Sequence, residues 1–251
     1  MGQLRLVLCA VQFLTRLPTP AIRDFRPEMI SRSARYFPLV GVLVGGICGL
    51  VLIGADRLWS GVLPALLAVG VGVLVTGAFH EDGLADTCDG LGGGGDPARR
   101  LAIMKDSRIG TYGALGLGLV LAAKVAGLAS LPAGPAALTL IAAHAGGRAA
   151  SVCAMKGLAY VGDLEVSKWK PAPVGVTGVE LAIALLFGLA PLGLLPVAGA
   201  AWGLGLGGAL ALALALTAKR LLGGYVGDVL GAVEQVFELG FVLGVAAWVR
   251  G

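Results

Sequence analysis

The stretch Phe37–Ala55, FPLVGVLVGGICGLVLIGA, carries no charged residue and decides the fold class. As a helix rising about 1.5 Å per residue it is long enough to cross roughly 30 Å of hydrocarbon. The same reading extends outward along the chain. Residues 60–79 make a second span. The apolar region 109–147 is too long for one helix, and Pro132 and Pro135 divide it into spans near 112–131 and 136–155. Residues 181–218 are likewise divided by Pro191 and Pro196, giving spans near 177–195 and 199–218, and a last span covers about 235–249. The whole composition agrees: 251 residues, 57% hydrophobic, only 14% charged, mean hydropathy +0.89. A soluble domain is typically about a quarter charged. The expectation is therefore an all-α polytopic membrane bundle of about seven transmembrane helices, forming one integral membrane domain over residues 1–251.

Cys9, Cys48, Cys88 and Cys153 lie far apart without a CxxC pair, and only His80 and His144 accompany them, which argues against a zinc site or disulfide framework. Residues 3–14 are a short amphipathic stretch with no small-residue cleavage pattern behind them, so no cleavable signal peptide is expected. Lysine and arginine concentrate on the cytoplasmic side of membrane proteins. With the N-terminus inside, every basic residue except Arg57, Lys124 and Arg250 falls on that side. The C-terminus is then outside, and the long polar loops around 80–113, 148–175 and 219–234 are cytoplasmic. Trp59, Trp169, Trp202 and Trp248 fall at predicted span ends, as interfacial aromatics do. The 42 glycines suit close helix approach, with Gly203, Gly205, Gly207 and Gly208 read as packing faces. Gly92–Gly95 reads as a loop, because four consecutive glycines disfavour a helix.

Function is written in the polar islands. Between the second and third spans runs His80-Glu81-Asp82-Gly83-Leu84-Ala85-Asp86-Thr87-Cys88-Asp89-Gly90. Asp82, Asp86 and Asp89 are spaced i, i+4, i+7 and share one helical face. Stacked like charges repel, more so at the edge of a low-dielectric membrane, and a divalent cation offsets that repulsion. All-oxygen donors favour magnesium, calcium or manganese. About twenty residues on, Lys105-Asp106-Ser107-Arg108-Ile109-Gly110-Thr111-Tyr112-Gly113 opens the third span. Cations, hydroxyls and a helix start suit a phosphate. Acids and cations on one membrane face together suggest a metal bound to a phosphorylated substrate. A third island, Gly223–Glu234, brings Asp228 and Glu234, either as a second metal- or base-carrying segment or as a hairpin with its acids in the cytosol. Arg148 either reaches a phosphate or snorkels to the interface. His144 reads as a packed polar residue and Glu238 as structurally paired, while Lys124, in mid-span, needs a partner and is assigned no role.

The motifs HEDGLADTCDG (His80–Gly90), MKDSRIGTYG (Met104–Gly113) and GGYVGDVLGA (Gly223–Ala232), with FLTRLPTP (Phe13–Pro20) and FPLVG (Phe37–Gly41) before them, resemble the cobalamin synthase (adenosylcobinamide-GDP ribazoletransferase) family. The resemblance runs from about residue 10 to 240. Val226 stands where a hydroxyl-bearing residue is common, and Gly147 where related chains carry serine. The resemblance implies a Mg2+-dependent transferase of the cytoplasmic (inner) membrane, with its active site facing the cytoplasm. It would join adenosylcobinamide-GDP to α-ribazole or α-ribazole 5′-phosphate, giving adenosylcobalamin or its phosphate and GMP, the last assembly step of the nucleotide loop. It further implies that Asp82, Asp86 and Asp89, with Glu81 and Asp228 as additional ligands, hold Mg2+ against the diphosphate. Lys105, Ser107, Arg108 and Arg148 would steady phosphate oxygens, and Asp228 or Asp86 would act as base. The expected partners are the corrinoid-GDP and α-ribazole substrates and membrane lipids, not nucleic acid, and the glycine-rich faces also suit a homo-oligomer.

Two rivals fit less well. CDP-alcohol phosphotransferases carry D-G-x-x-A-R, whereas here Ala85 is followed by Asp86. A cation transporter predicts midplane acids and two matching halves, and no internal repeat is visible.

Overall fold

A computed structural model describes residues 2–22, 24–162 and 175–250. Arg23, Lys168, Trp169 and Lys170, which entered the expected charge and tryptophan pattern, lie outside these residues. The described chain is helical, with one isolated parallel bridge between Tyr160 and Tyr225. The helices are α1 (Gln3–Leu14), α2 (Glu28–Ser33), α3 (Phe37–Asp56), α4 (Leu63–Thr76), α5 (Phe79–Gly93), α6 (Pro97–Met104), α7 (Thr111–Ala129), α8 (Ala133–Gly157), α9 (Gly178–Leu189), α10 (Val197–Leu222) and α11 (Gly227–Arg250).

Among the described residues, four stretches are helical, long and apolar enough to cross a membrane: Glu28–Asp56, Thr111–Ala129, Val197–Leu222 and Gly227–Arg250. A fifth results if α4 and α5, bent by 92°, count as one broken span. The expectation of about seven came from apolar runs alone, and three of those runs differ for identifiable reasons. The run 60–79 contains only the 14 residues of α4 as straight helix, since Gly77 (φ +67°) and Ala78 (φ +58°) are both left-handed and turn the chain. The run 177–195 becomes the 12-residue α9 and a short 3-10 turn over Ala190–Leu194, too short to cross. The run 136–155 lies within α8, whose 25 residues include His144, Arg148 and Lys156. In the other direction, the last helix starts at Gly227 rather than near 235, so Asp228 and Glu234 are helical residues of α11.

Helix contact depends on missing side chains. A Cβ at Gly45 would lie 2.7 Å from the Ile141 backbone, and Gly49 is similarly tight against Ala137, so α3 and α8 meet along a small-residue face spaced by four. Of the expected packing glycines on α10, Gly203 and Gly207 face Phe241 and Phe237 of α11, whereas Gly205 and Gly208 face open space. The expected loop at Gly92–Gly95 is also shorter: α5 continues through Gly93 and is capped at Gly94. Arg100 donates to the Gly90 carbonyl at 3.3 Å and, more closely, to that of Leu91. Terminal carbonyls are the orphan groups of a helix end, and a cation there also meets the negative end of the dipole. The glycines are therefore helical because a neighbouring element satisfies the backbone they expose.

Candidate active site

Asp82, Asp86 and Asp89 lie on α5, and Asp228 on the first turn of α11. The two helices touch through backbone: a Cβ at Gly83 would sit 2.8 Å from the Asp228 carbonyl oxygen, and one at Gly231 would sit 3.2 Å from His80 Cα. This contact sets Asp228 beside the acid face. The charges acting on Asp86 are those of Asp228, Asp82 and Asp89, in that order. Asp82 is exposed, Asp86 and Asp228 are partly buried, and neither the Asp82 nor the Asp86 carboxylate has a hydrogen bond or ion pair among the described residues. Clustered hard-oxygen donors with uncompensated like charge fit a hydrated Mg2+ or Mn2+ ion.

Asp89 is differently placed. It is 8% exposed, its Oδ2 accepts the Gly110 amide at 2.7 Å, and its Oδ1 accepts the Gly113 amide at 2.8 Å. These are orphan amides at the start of α7, which begins at Thr111 with Gly110 as cap. The helix start read as a site for substrate phosphate is thus already filled by a carboxylate of the chain itself. A charge-assisted pair of bonds at the positive end of a helix makes a strong internal cap. Gly110 and Gly113 are required there, because a Cβ at either would run into the Asp89 carboxylate.

The expected phosphate-binding residues separate. Lys105 and Ser107 are exposed in the α6–α7 turn. Arg108 is exposed too, at 87% of its side chain, and its guanidinium forks onto Asp106 with Nη2–Oδ2 at 2.7 Å. Those hydrogen bonds hold the Asp106 carboxyl down at about 2. Arg148 neither snorkels nor faces this turn. It is 2% exposed, with Nη1 2.7 Å from Glu234 Oε1, 3.4 Å from Glu238 Oε1, and donating to the His144 carbonyl at 2.9 Å. Among the described residues its ion pairs are with carboxylates of α11, which places it inside the bundle, away from the Lys105–Arg108 turn. Glu81, expected among the metal ligands, also turns inward: it is buried, and its Oε1 accepts from Gln235 Nε2 at 3.0 Å.

Arg148 and Glu81 belong to a buried polar cluster that the sequence reading left in pieces. Lys124 Nζ lies 2.5 Å from Glu238 Oε2 and donates to Gln235 Oε1 at 3.0 Å. His144 Nδ1 lies 2.5 Å from Glu238 Oε1, and Gln235 Nε2 also donates to Glu234 Oε2 at 3.0 Å. His144, Glu234 and Glu238 bring potential metal ligands within 4.8 Å of one another, but Lys124 and Arg148 already occupy those carboxylates. Lys124 thereby has the partner it required, and Glu238 is paired as expected. The available signal was the pair of i, i+4 couples His144/Arg148 and Glu234/Glu238: ionisable groups in apolar spans must face one another. Gln235 had no such signal and was missed.

The profile of the family described as Cobalamin-5-phosphate synthase matches residues 6–246. The chain is similar to the adenosylcobinamide-GDP ribazoletransferase of Leptothrix cholodnii, 44% identical over 261 residues that cover 98% of this chain and 96% of that protein. It is 40% identical to the protein of the same name from Vibrio cholerae over 250 residues, covering 94% and 91% of the two chains. It is 41% identical to that of Shewanella woodyi over 253 residues, covering 94% and 93%. No solved structure matches it.

Proposed function

Because the chain belongs to the cobalamin-5-phosphate synthase family, we propose that it is an adenosylcobinamide-GDP ribazoletransferase acting at the cytoplasmic face of the inner membrane. It joins adenosylcobinamide-GDP to α-ribazole, or to its 5′-phosphate, and releases GMP. The observation that carries this reading is the pair of open carboxylates Asp82 and Asp86 on α5, with Asp228 of α11 set beside them where the two helices touch. Asp82 and Asp86 hold no internal cation, and the basic turn Lys105–Arg108 follows on the same segment.

The chemistry is displacement at phosphorus. A ribose hydroxyl of the ribazole attacks the phosphorus next to the cobinamide, the bond from that phosphorus to GMP breaks, and the hydroxyl proton leaves to a base. Asp82 and Asp86 are the residues that would hold Mg2+, which when bound neutralises charge on the diphosphate. Asp228, facing Asp86, is the better placed base. Lys105 and Ser107, exposed and near the acid face in sequence, and Arg108, once released from Asp106, bind phosphate oxygens. Asp89 serves by holding the start of α7 against α5. The cytoplasmic orientation rests on the distribution of basic residues, since Arg99, Arg100, Lys105 and Arg108 follow α5 and Lys219 and Arg220 end α10.

The test is GMP release from adenosylcobinamide-GDP by the full chain in detergent or nanodiscs, with and without α-ribazole, and with Mg2+ or a chelator. Release that needs both α-ribazole and Mg2+ is expected. Release that ignores α-ribazole, or survives chelation, would defeat the reading.

A further inference from the structure

The acid helix α5 does not inherit its orientation from α4. Two successive left-handed residues, Gly77 and Ala78, separate the helices, and the axis turns by 92°. Rotation of α5 about its own axis is therefore set by its close contact with α11 at Gly83 and Gly231 together with what its side chains hold. At its far end that is Asp89 on the start of α7. At its near end it is Glu81, adjacent in sequence to Asp82, and the partner of Glu81 is Gln235.

Gln235 is 2% exposed, and its amide is used in full. One N–H reaches Glu81 and the other Glu234, while the carbonyl accepts from Lys124. A carboxamide is suited to this place because it alone offers two donors to two carboxylates and an acceptor to an ammonium. Lys124 is in turn fixed by Glu238, and Glu234 by Arg148, so the near end of α5 is tied to α7, α8 and α11 through one side chain. Among the described residues, this is the side-chain hydrogen bond that joins the acid helix to the buried charges. We propose that Gln235 is a positioning residue: through Glu81 it fixes the rotation of α5, and so sets the face that Asp82 and Asp86 present to Asp228. Glu81 is then the helix's anchor rather than a metal ligand. The inference rests on the metal reading above for its consequence, but its structural content is separate.

Two measurements on the full chain in nanodiscs test it. The first is Mn2+ binding followed by electron paramagnetic resonance. Gln235→Glu keeps the shape and replaces two donated bonds by repulsions, so it should weaken Mn2+ binding about tenfold, as loss of an orienting partner does. Glu81→Ala should do the same, and the double variant should be no worse than either, since both break one link. Asp86→Asn should abolish binding. The second measurement is maleimide labelling of Cys88, which lies on α5 against Gly116 of α7. In a Cys153→Ser background it is the one free cysteine that is not buried. Releasing α5 should label it roughly threefold faster or more, with Cys9 and Cys48 still protected. If Gln235→Glu also exposes those two, it has unfolded, and Glu81→Ala, which leaves the Lys124–Glu238 pair intact, decides the matter. Unchanged Cys88 labelling in the folded variants overturns the proposal. So do single effects that multiply to about a hundredfold in the double, or a Glu81→Gln protein as empty of Mn2+ as Asp86→Asn. Should the unsubstituted protein bind no Mn2+, the metal reading fails, while the labelling result still judges the role of Gln235.

Discussion

Replacing Asp89 by alanine separates two roles that the sequence left joined. Both carboxylate oxygens of Asp89 accept backbone amides at the start of α7. The Gly110 residue is exposed, so water replaces its lost partner and the cost is about 1 kcal/mol. The Gly113 residue is buried, so its amide loses a charge-assisted bond with nothing to take its place, about 2–3 kcal/mol. The sum is about 3–4 kcal/mol, large against a net stability of about 5–15 kcal/mol. Asp89→Asn keeps a single acceptor oxygen and should fall midway. Unfolding in mixed micelles as the denaturing detergent fraction rises measures these losses, and Mn2+ titration of the same samples measures metal binding. The expected pattern is a clear stability loss with residual, weakened metal binding. An Asp89→Ala protein as stable as the parent but unable to bind Mn2+ would show a metal ligand, and would refute the cap.

Asp86→Asn should keep the fold, because the Asp86 carboxylate bonds to nothing among the described residues and its neutralisation relieves repulsion from Asp228 and Asp82. Its GMP release should drop at least a hundredfold, and a loss under threefold would remove Asp86 from the site. Lys124→Met removes one of the groups paired with Glu238 and leaves His144 and Arg148 beside it, so it should destabilise by about 2–3 kcal/mol, less than a fully broken buried pair, whereas Lys124→Met combined with Glu238→Met should regain part of that in the same micelle titration. Asp106, held at about 2 by Arg108, lies below its ordinary 3.8. Any contribution it makes is complete above pH 3.8 and fades as pH falls through about 2. Asp106→Asn should therefore lower the KM for adenosylcobinamide-GDP a few-fold by freeing Arg108, by the same factor at every pH from about 5 to 8, and a factor that changes across that range would contradict it.

The sequence by itself determined the solvent of this protein and the address of its chemistry. An uncharged run as long as Phe37–Ala55 is long and apolar enough to cross a membrane as a helix, and that property is set by its own residues without reference to any other segment. The i, i+4, i+7 spacing likewise puts Asp82, Asp86 and Asp89 on one face of whatever helix they form. Tertiary structure decided what each acid does, because hydrogen-bond partners come from distant segments. Asp89 meets amides more than twenty residues away, and Glu81 meets Gln235, 154 residues away, so residues identical in charge became a helix cap and an anchor while Asp82 and Asp86 stayed open. The span count was also a tertiary matter. A run of apolar residues does not reveal that Gly77 and Ala78 take left-handed backbone angles and break a crossing in two. Nor does it reveal that Lys124, isolated in sequence, finds Glu238 across the bundle, since the cost of burying a charge can be judged only when its counter-charge is in place.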